Sequence, residues 1–235
     1  ENGIRLACMT YALGDVSVSV MVDEYAVPDF EKQENKAISA KRLGAAVDVG
    51  TTTITAAVYD IDTDEMLFSK TALNPQGVFG ADVISRMQKS LEGHADELQN
   101  AVCSAVSELL ASAAAGVQFE RTVITGNTAM LYLLTGRNPS SVTAAPFDAD
   151  CLFGYEEDGK RLQGCDKLCD TVYLPRCASA FVGADITCCA LDAAYRFDFL
   201  QSDGRARLLA DIGTNGELML SVKDRLYCCS TAAGP

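Results

Sequence analysis

Two short segments of this 235-residue chain share one arrangement of an acidic residue, a glycine and hydroxyl side chains. Residues 46–53 read Ala-Val-Asp-Val-Gly-Thr-Thr-Thr, and residues 209–216 read Leu-Ala-Asp-Ile-Gly-Thr-Asn-Gly. In each segment an aspartate, Asp48 or Asp211, lies near the end of an apolar run and precedes a Gly-Thr turn. A second run then follows, so we interpret both segments as related β-hairpins.

The two aspartates have the chemistry of magnesium ligands. A carboxylate near the end of a buried strand is costly to desolvate unless a cation or hydrogen-bond donors accompany it. Mg²⁺ favours carboxylate oxygens, its own waters and substrate phosphates. We therefore expect Asp48 and Asp211 to hold Mg²⁺, directly or through water.

The residues after each aspartate suit a phosphate chain. Glycine permits a positive φ in the turn and lets a ligand approach the backbone closely. Successive amide N–H groups in such turns form concavities that hold anions, and threonine adds hydroxyl donors. Two facing hairpins would grip a phosphate chain from both sides, and the expected contacts are Gly50, Thr51, Thr52, Gly213, Thr214 and Asn215.

The repetition carries this interpretation, because a single Asp-x-Gly-Thr sequence is often only a hairpin turn. The chain contains neither G-x-x-x-x-G-K-[ST] nor G-x-G-x-x-G. A P-loop and a dinucleotide fingerprint are therefore excluded as the means of holding phosphate.

The hydrophobic pattern predicts the elements that must position these residues. Three consecutive strands followed by alternating helices and strands are typical of a mixed α/β sheet. The predicted strands are 43–49, 54–60, 66–72, 122–125 and 171–174, the predicted helices are 81–91, 95–115, 129–134 and 183–195, and a last hairpin starts at residue 208.

Composition excludes several classes of partner. The net charge of −13 comes from 32 acidic and 19 basic residues without a basic patch, so nucleic acid is not expected as a partner. No run approaches the roughly 18 apolar residues that a membrane span needs. A secretory signal is not visible either, and we predict a cytoplasmic protein.

Ten cysteines and one histidine occur in the chain. We interpret most of the cysteines as small buried hydrophobes in a reducing cytosol. The chain has no C-x-x-C pair, which disfavours a zinc site, although Cys165 and Cys169 remain an alternative metal-binding pair.

The paired hairpins resemble the two phosphate motifs of the actin, sugar-kinase and heat-shock-chaperone superfamily. That resemblance implies a ribonuclease-H-like mixed sheet, with ATP and Mg²⁺ as cofactors. Residues 174–185 look like the connecting helix of the superfamily, which often carries a residue that positions the attacking water, here Asp185. An acidic residue is also favoured in the first turn of any helix, so this role stays open.

A closer resemblance is to the ATPase domain of reductive activators of corrinoid proteins. The order of four segments carries it, namely Asn74-Pro75-Gln76 with 80–86, Thr125–Met130, Asp211–Glu217 and Ser230–Pro235. The resemblance implies ATP-dependent reduction of Co(II) to Co(I) in a corrinoid protein or corrinoid-dependent methyltransferase. A homodimer is compatible with it.

Such activators carry a [2Fe–2S] ferredoxin domain before the ATPase domain. Residues 3–8, Gly-Ile-Arg-Leu-Ala-Cys, followed by Gly14-Asp15, are similar to the end of such a ferredoxin. The resemblance makes Cys8 a cluster ligand of the full-length protein. It divides the chain into a ferredoxin remnant (1–22), a linker (23–41), a first ATPase domain (42–206) and the truncated start of a second (207–235).

Two alternative functions would use the same space between the two hairpins. One is a small-molecule kinase that phosphorylates a hydroxyl group, which would have no need of a redox module. The other is a non-catalytic actin-like or chaperone-like ATP-binding module.

Overall fold

The structure, a computed structural model, describes residues 42–114, 118–162, 164–165, 169–213 and 215–232. The ferredoxin remnant (1–22) with Cys8, the linker (23–41) and Thr214 lie outside the described residues. The domain boundaries proposed above stay predictions.

Six strands form a mixed sheet. In chain order they are β1 (Leu43–Val49), β2 (Thr53–Asp60), β3 (Met66–Leu73), β4 (Arg121–Gly126), β5 (Tyr155–Asp158) and β6 (Thr171–Leu174). The spatial order is β3-β2-β1-β4-β6-β5. Strands β1 to β3 pair antiparallel, whereas β4 runs parallel to β1 and β6 parallel to β4. The predicted mixed α/β class is confirmed, although the sequence did not predict the edge strand β5.

The alternation in β1 decides where Asp48 lies. Residues at odd positions from Leu43 to Val49 are buried in the core, so Asp48 lies on the opposite face near the carboxyl end of the strand. Because β4 is parallel to β1, with Val49 beside Gly126, both strands end at the same edge of the sheet. That edge is where open α/β sheets bind ligands.

Five helices complete the described part of the chain. They are α1 (Val83–Lys89), α2 (Ala95–Ala114), α3 (Thr128–Leu134), α4 (Ser140–Thr143) and α5 (Ala184–Phe197). A π-helical turn at Ser90–His94, with Gly93 at a φ of 108°, separates α1 from α2. None of the helices in these ranges is long and apolar enough to cross a membrane.

A second, three-stranded antiparallel sheet follows α5. Its strands, in spatial order, are β7 (Ala206–Ile212), β8 (Asn215–Val222) and β9 (Arg225–Ala232). Helix α5 packs on the second sheet, where its buried residues Ile186, Ala190 and Ala193 share one small core with Met219 of β8. The helix also contacts β4 of the first sheet, so it lies between the two sheets.

The cysteine interpretation holds for only part of the set. Cys103, Cys165, Cys169 and Cys177 are buried as expected. Cys189, Cys228 and Cys229 are exposed, so the prediction is wrong for them. The apolar neighbours that suggested burial lie on strand and helix faces that this part of the fold leaves open.

Asn74 secures the turn between β1 and β2. Its Nδ2 donates to the carbonyl of Gly50 at 2.8 Å, and its own N–H donates to the carbonyl of Thr52 at 2.8 Å. Its Oδ1 accepts from Gln76 N–H at 3.0 Å, and the residue is only 5% exposed. Two carbonyl oxygens of the turn, which would repel a phosphate, are thereby engaged by protein donors.

We predict that Asn74→Ala destabilises the protein by about 2–3 kcal/mol, because buried partners lose their hydrogen bonds. Urea unfolding followed by circular dichroism measures this change. Asn138→Ala is the matched control, since exposed Asn138 makes a similar contact with Ser140 N–H. Equal, small effects of both substitutions would show that Asn74 does not secure the turn.

Candidate functional site

A cavity of about 200 Å³ lies between the β1–β2 hairpin and the β7–β8 hairpin. Both turns, the start of α3 and the start of α5 contribute to its wall. The lining residues are Asp48, Gly50, Thr51, Thr52, Thr53, Asn127, Asp185, Asp211, Gly213, Asn215 and Glu217.

The structure brings the sequence-predicted residues together. Asp48 and Asp211 are each the penultimate residue of a strand, in β1 and β7, and both border the cavity. Asp185, in the first turn of α5, borders it as well. The predicted phosphate contacts in the two turns also line the cavity, apart from Thr214, which lies outside the described residues.

Three lining residues, Thr53, Asn127 and Glu217, were not assigned to the site from the sequence. Thr53 continues the threonine run of the first turn. Asn127 follows β4, whose parallel pairing with β1 brings its end to the same edge, but that pairing has no local sequence signal. The signal for Glu217 is a charged residue on the buried face of an otherwise uncharged strand.

Glycine serves the first turn differently from the sequence expectation. Neither Gly50 nor Gly213 has a φ in the left-handed region, so the predicted positive φ is wrong for both. A Cβ atom on Gly50 would lie 2.8 Å from the Thr53 carbonyl oxygen, so close approach of the backbone requires glycine there. The corresponding nearest contact at Gly213 is 3.6 Å, which is ordinary.

Asn127 links the first hairpin to the helix that follows β4. Its Nδ2 donates to Thr51 Oγ1 at 3.3 Å, and its Oδ1 accepts from Met130 N–H at 2.9 Å as the N-cap of α3. Asn127, which follows β4, therefore holds the side chain of Thr51 in place, and Thr51 is only 5% exposed.

The start of α5 is pressed against the same strand end. A Cβ atom on Gly183 would lie 2.4 Å from Asn127 Cα, so only glycine allows the helix to begin there. This packing fixes Asp185 beside the cavity. Asp185 Oδ1 accepts from Ile186 N–H at 2.9 Å, and the positive end of the helix dipole favours its negative charge.

Carboxyl groups dominate the electrostatics of the cavity. Burial, reinforced by the charges of Asp185 and Asp211, raises the pKa of Asp48 to about 6. Burial also raises the pKa of Asp185 above its ordinary value, and hydrogen bonds from Ile186 N–H and Glu217 partly oppose that change. Burial and the charge of Asp185 raise the pKa of Glu217 to about 8. A cation would relieve this repulsion.

The protein groups alone do not form a closed metal site. Within the described ranges, no three His, Cys, Asp or Glu side chains are grouped so that they could hold a metal ion. A divalent cation in this cavity would therefore complete its coordination with phosphate oxygens and water, which is the usual preference of Mg²⁺.

Comparison with known proteins identifies what the chain is similar to. A family model described as the RACo middle region matches residues 43–195, and one described as the C-terminal domain of RACo, the ASKHA domain, matches residues 205–235. The corrinoid activation enzyme RamQ of Eubacterium limosum is 32% identical over 204 residues, covering 82% of this chain and 32% of that protein.

A solved structure gives the same result for the fold. The reductive activator for corrinoid, iron–sulfur protein superposes with a TM-score of 0.73 at 31% identity, covering 84% of this chain and 32% of that chain. The chain thus spans about a third of the length of the relatives it matches.

We predict that Asp48→Asn stabilises the protein without ligand at pH 7. The raised pKa, from 3.8 to about 6, means that the folded chain keeps a proton that the unfolded chain has released between these values. Folding stability therefore falls as pH rises from about 4 to about 6, and Asn removes that loss. Solvent reaches Asp48 through the cavity, so we expect about 1 kcal/mol, or a Tm increase of about 2–4 °C.

Thermal unfolding of both proteins at pH 4 and pH 7 measures the difference, which should disappear at pH 4. The exposed Asp148→Asn is the control for a change of net charge. A destabilised Asp48→Asn protein at pH 7 would contradict the electrostatic account.

Proposed function

This chain belongs to the RACo family, and from that premise we propose that it forms the phosphate-binding walls of an ATPase that reactivates a corrinoid protein. One observation carries the proposal, namely that Asp48, Asp185 and Asp211 border one cavity between two hairpins. The two hairpins provide the turns, and α5 provides the third carboxylate.

The lining residues suit a magnesium nucleotide. Thr51, Thr52 and Asn215 offer donors to phosphate oxygens, while Asp48 and Asp211, on opposite hairpins, would hold Mg²⁺ directly or through water. Bound Mg²⁺ would neutralise charge on the phosphates and on these carboxylates. The raised pKa of Asp48, caused first by burial and then by repulsion from Asp185 and Asp211, supports this assignment, because a cation would offset both effects.

Asp185 is proposed to orient the attacking water. The water oxygen bonds to the γ-phosphorus, the bond to the bridging oxygen breaks, and ADP leaves with phosphate as the second product. The anchored N-terminus of α5 holds the Asp185 carboxyl for this purpose, because Gly183 packs directly on Asn127. Positioning of this kind contributes to turnover more than to nucleotide affinity.

ATP binding is proposed to make an unfavourable reduction possible. A [2Fe–2S] cluster of the full-length protein, for which Cys8 would be one ligand, would supply the electron that reduces Co(II) of the partner corrinoid protein to Co(I). A ligand can drive a conformational change only through different affinities for two states. A nucleotide gripped by two hairpins meets that condition, since it binds more tightly when they are close together.

The remaining domain assignments belong to the same proposal. Residues 1–22 would end the ferredoxin domain with Cys8 as a cluster ligand, and residues 23–41 would be the linker. Residues 42–206 and 207–235 would be the first ATPase domain and the start of the second. The proposed partner is a corrinoid protein or a corrinoid-dependent methyltransferase.

In the full-length protein, Asp211→Ala should lower ATP hydrolysis about 100-fold or more, because transition-state charge loses its stabilisation. ATP-dependent reduction of a Co(II) corrinoid protein, followed by absorbance with a chemical reductant, should fall with it. Asp192→Ala is the control, since this exposed aspartate of α5 forms a surface ion pair with Arg196. If ATP leaves corrinoid reduction untouched while a sugar or an acid becomes phosphorylated, the kinase function replaces the activator.

Cys8→Ser in the full-length protein should abolish or strongly alter the visible spectrum of the [2Fe–2S] cluster, because a thiolate ligand is lost. Nucleotide binding should remain near the wild-type value. Cys103→Ser, at a buried position of the ATPase domain, is the control for loss of a cysteine. An unchanged cluster spectrum in the Cys8→Ser protein would assign Cys8 a structural role.

A further inference from the structure

The two hairpins differ at the residue opposite each aspartate. In the first hairpin Asp48 pairs with Thr55, whereas in the second Asp211 pairs with Glu217. Paired residues of antiparallel strands project from the same face of a sheet. Glu217 is therefore an additional carboxyl group on the cavity side of the second hairpin, without a counterpart in the first.

Glu217 is buried although it is ionisable. It is only 5% exposed and shares the inward face of β8 with Met219 and Ser221. Glutamate is almost never fully buried unless it is paired. A specific set of contacts must therefore explain its position.

Those contacts reach across to the start of α5. Gly183 N–H donates to Glu217 Oε1 at 3.3 Å, which occupies a backbone donor that the helix start leaves without a side-chain cap. Glu217 Oε2 has no hydrogen-bond partner, and the Glu217 and Asp185 side chains border the same cavity. Glu217 thus contacts the backbone at the start of α5 and shares a cavity wall with the Asp185 carboxyl.

We propose that Glu217 is a positioning residue that aligns Asp185 from the second hairpin. The contact crosses from β8 to the first turn of α5, the helix whose buried residues also pack with Met219 of β8. The second hairpin thus holds both the body of this helix and the end that carries Asp185.

This role explains why a carboxyl group can lie beside Asp185. Gly183 N–H holds Oε1 of Glu217, and Oε2 is left without a partner beside the cavity that Asp185 also borders. Glutamine has the same shape and supplies an oxygen for Gly183 N–H and an N–H for Asp185. Methionine fills a similar volume and supplies neither.

The inference rests on the proposed ATPase function, so its first test does not use ATP. Hydrogen exchange of the backbone amides at 183–187, measured on the full-length protein without nucleotide, reports the anchor directly. Glu217→Met should accelerate exchange at the start of α5 about 10-fold or more, while Glu217→Gln should leave it near the wild-type rate. Exchange in the Met variant equal to that of wild type overturns the inference.

The second test uses steady-state ATP hydrolysis. Glu217→Met should lower kcat about 10- to 100-fold with KM for ATP within about twofold, as expected when a positioned group shifts. Glu217→Gln should retain kcat within about threefold. Ser221→Ala, at a buried position of the same strand face, is the matched control and should behave as wild type.

A double-mutant cycle separates positioning from a general structural effect. When Glu217→Met is added to Asp185→Asn, kcat should fall by less than a further factor of about two, because the carboxyl group that Glu217 positions is already absent. Effects that multiply independently overturn the inference. If the Met variant does not fold, the Gln variant decides, and a Gln variant below about one-tenth of wild-type kcat also overturns it. Wild-type protein that does not hydrolyse ATP refutes the proposed function, while the exchange experiment still tests the anchor.

Discussion

The convergence of four carboxyl groups in one small cavity is the constraint on which the rest of this structure depends. Asp48, Asp185, Asp211 and Glu217 all border a space of about 200 Å³. Such groups repel one another and lose hydration, which raises the pKa of Asp48, Asp185 and Glu217. The fold must hold these groups together against this free-energy cost. Clusters of ionisable groups with shifted pKa values are typical of functional sites.

The fold meets that cost with close backbone packing and with side-chain amides that hydrogen-bond to the first turn. Asn74 and Asn127 secure the first turn from neighbouring elements. Gly183 allows the start of α5 to lie against the end of β4, and Glu217 joins the same point from the second sheet. The start of α5 thus contacts both the end of β4 and the second hairpin, and these contacts together hold Asp185 at the cavity.

Much of the fold and part of the site could be predicted from the sequence, for identifiable physical reasons. Each aspartate comes at the end of an apolar run before a glycine turn, and such local patterns persist in the folded chain, as in β1 and β7. Strand β5 forms by pairing with β6, and Asn127 reaches Thr51 because β4 pairs with β1. Both pairings join distant segments and leave no local pattern in the sequence. The positive φ predicted for Gly50 is wrong, and glycine is required there because a Cβ atom would lie 2.8 Å from the Thr53 carbonyl oxygen.

Nucleotide binding with and without Mg²⁺ tests the central claim most directly. Calorimetric titration of the full-length protein with ADP, in Mg²⁺ or in EDTA, compares a cavity with and without the cation that its carboxylates require. The account predicts at least about tenfold tighter binding in Mg²⁺, or about 1.4 kcal/mol, and loss of this difference when Asp48 and Asp211 are both replaced by Asn. Equal affinity in Mg²⁺ and in EDTA for the wild-type protein would contradict it.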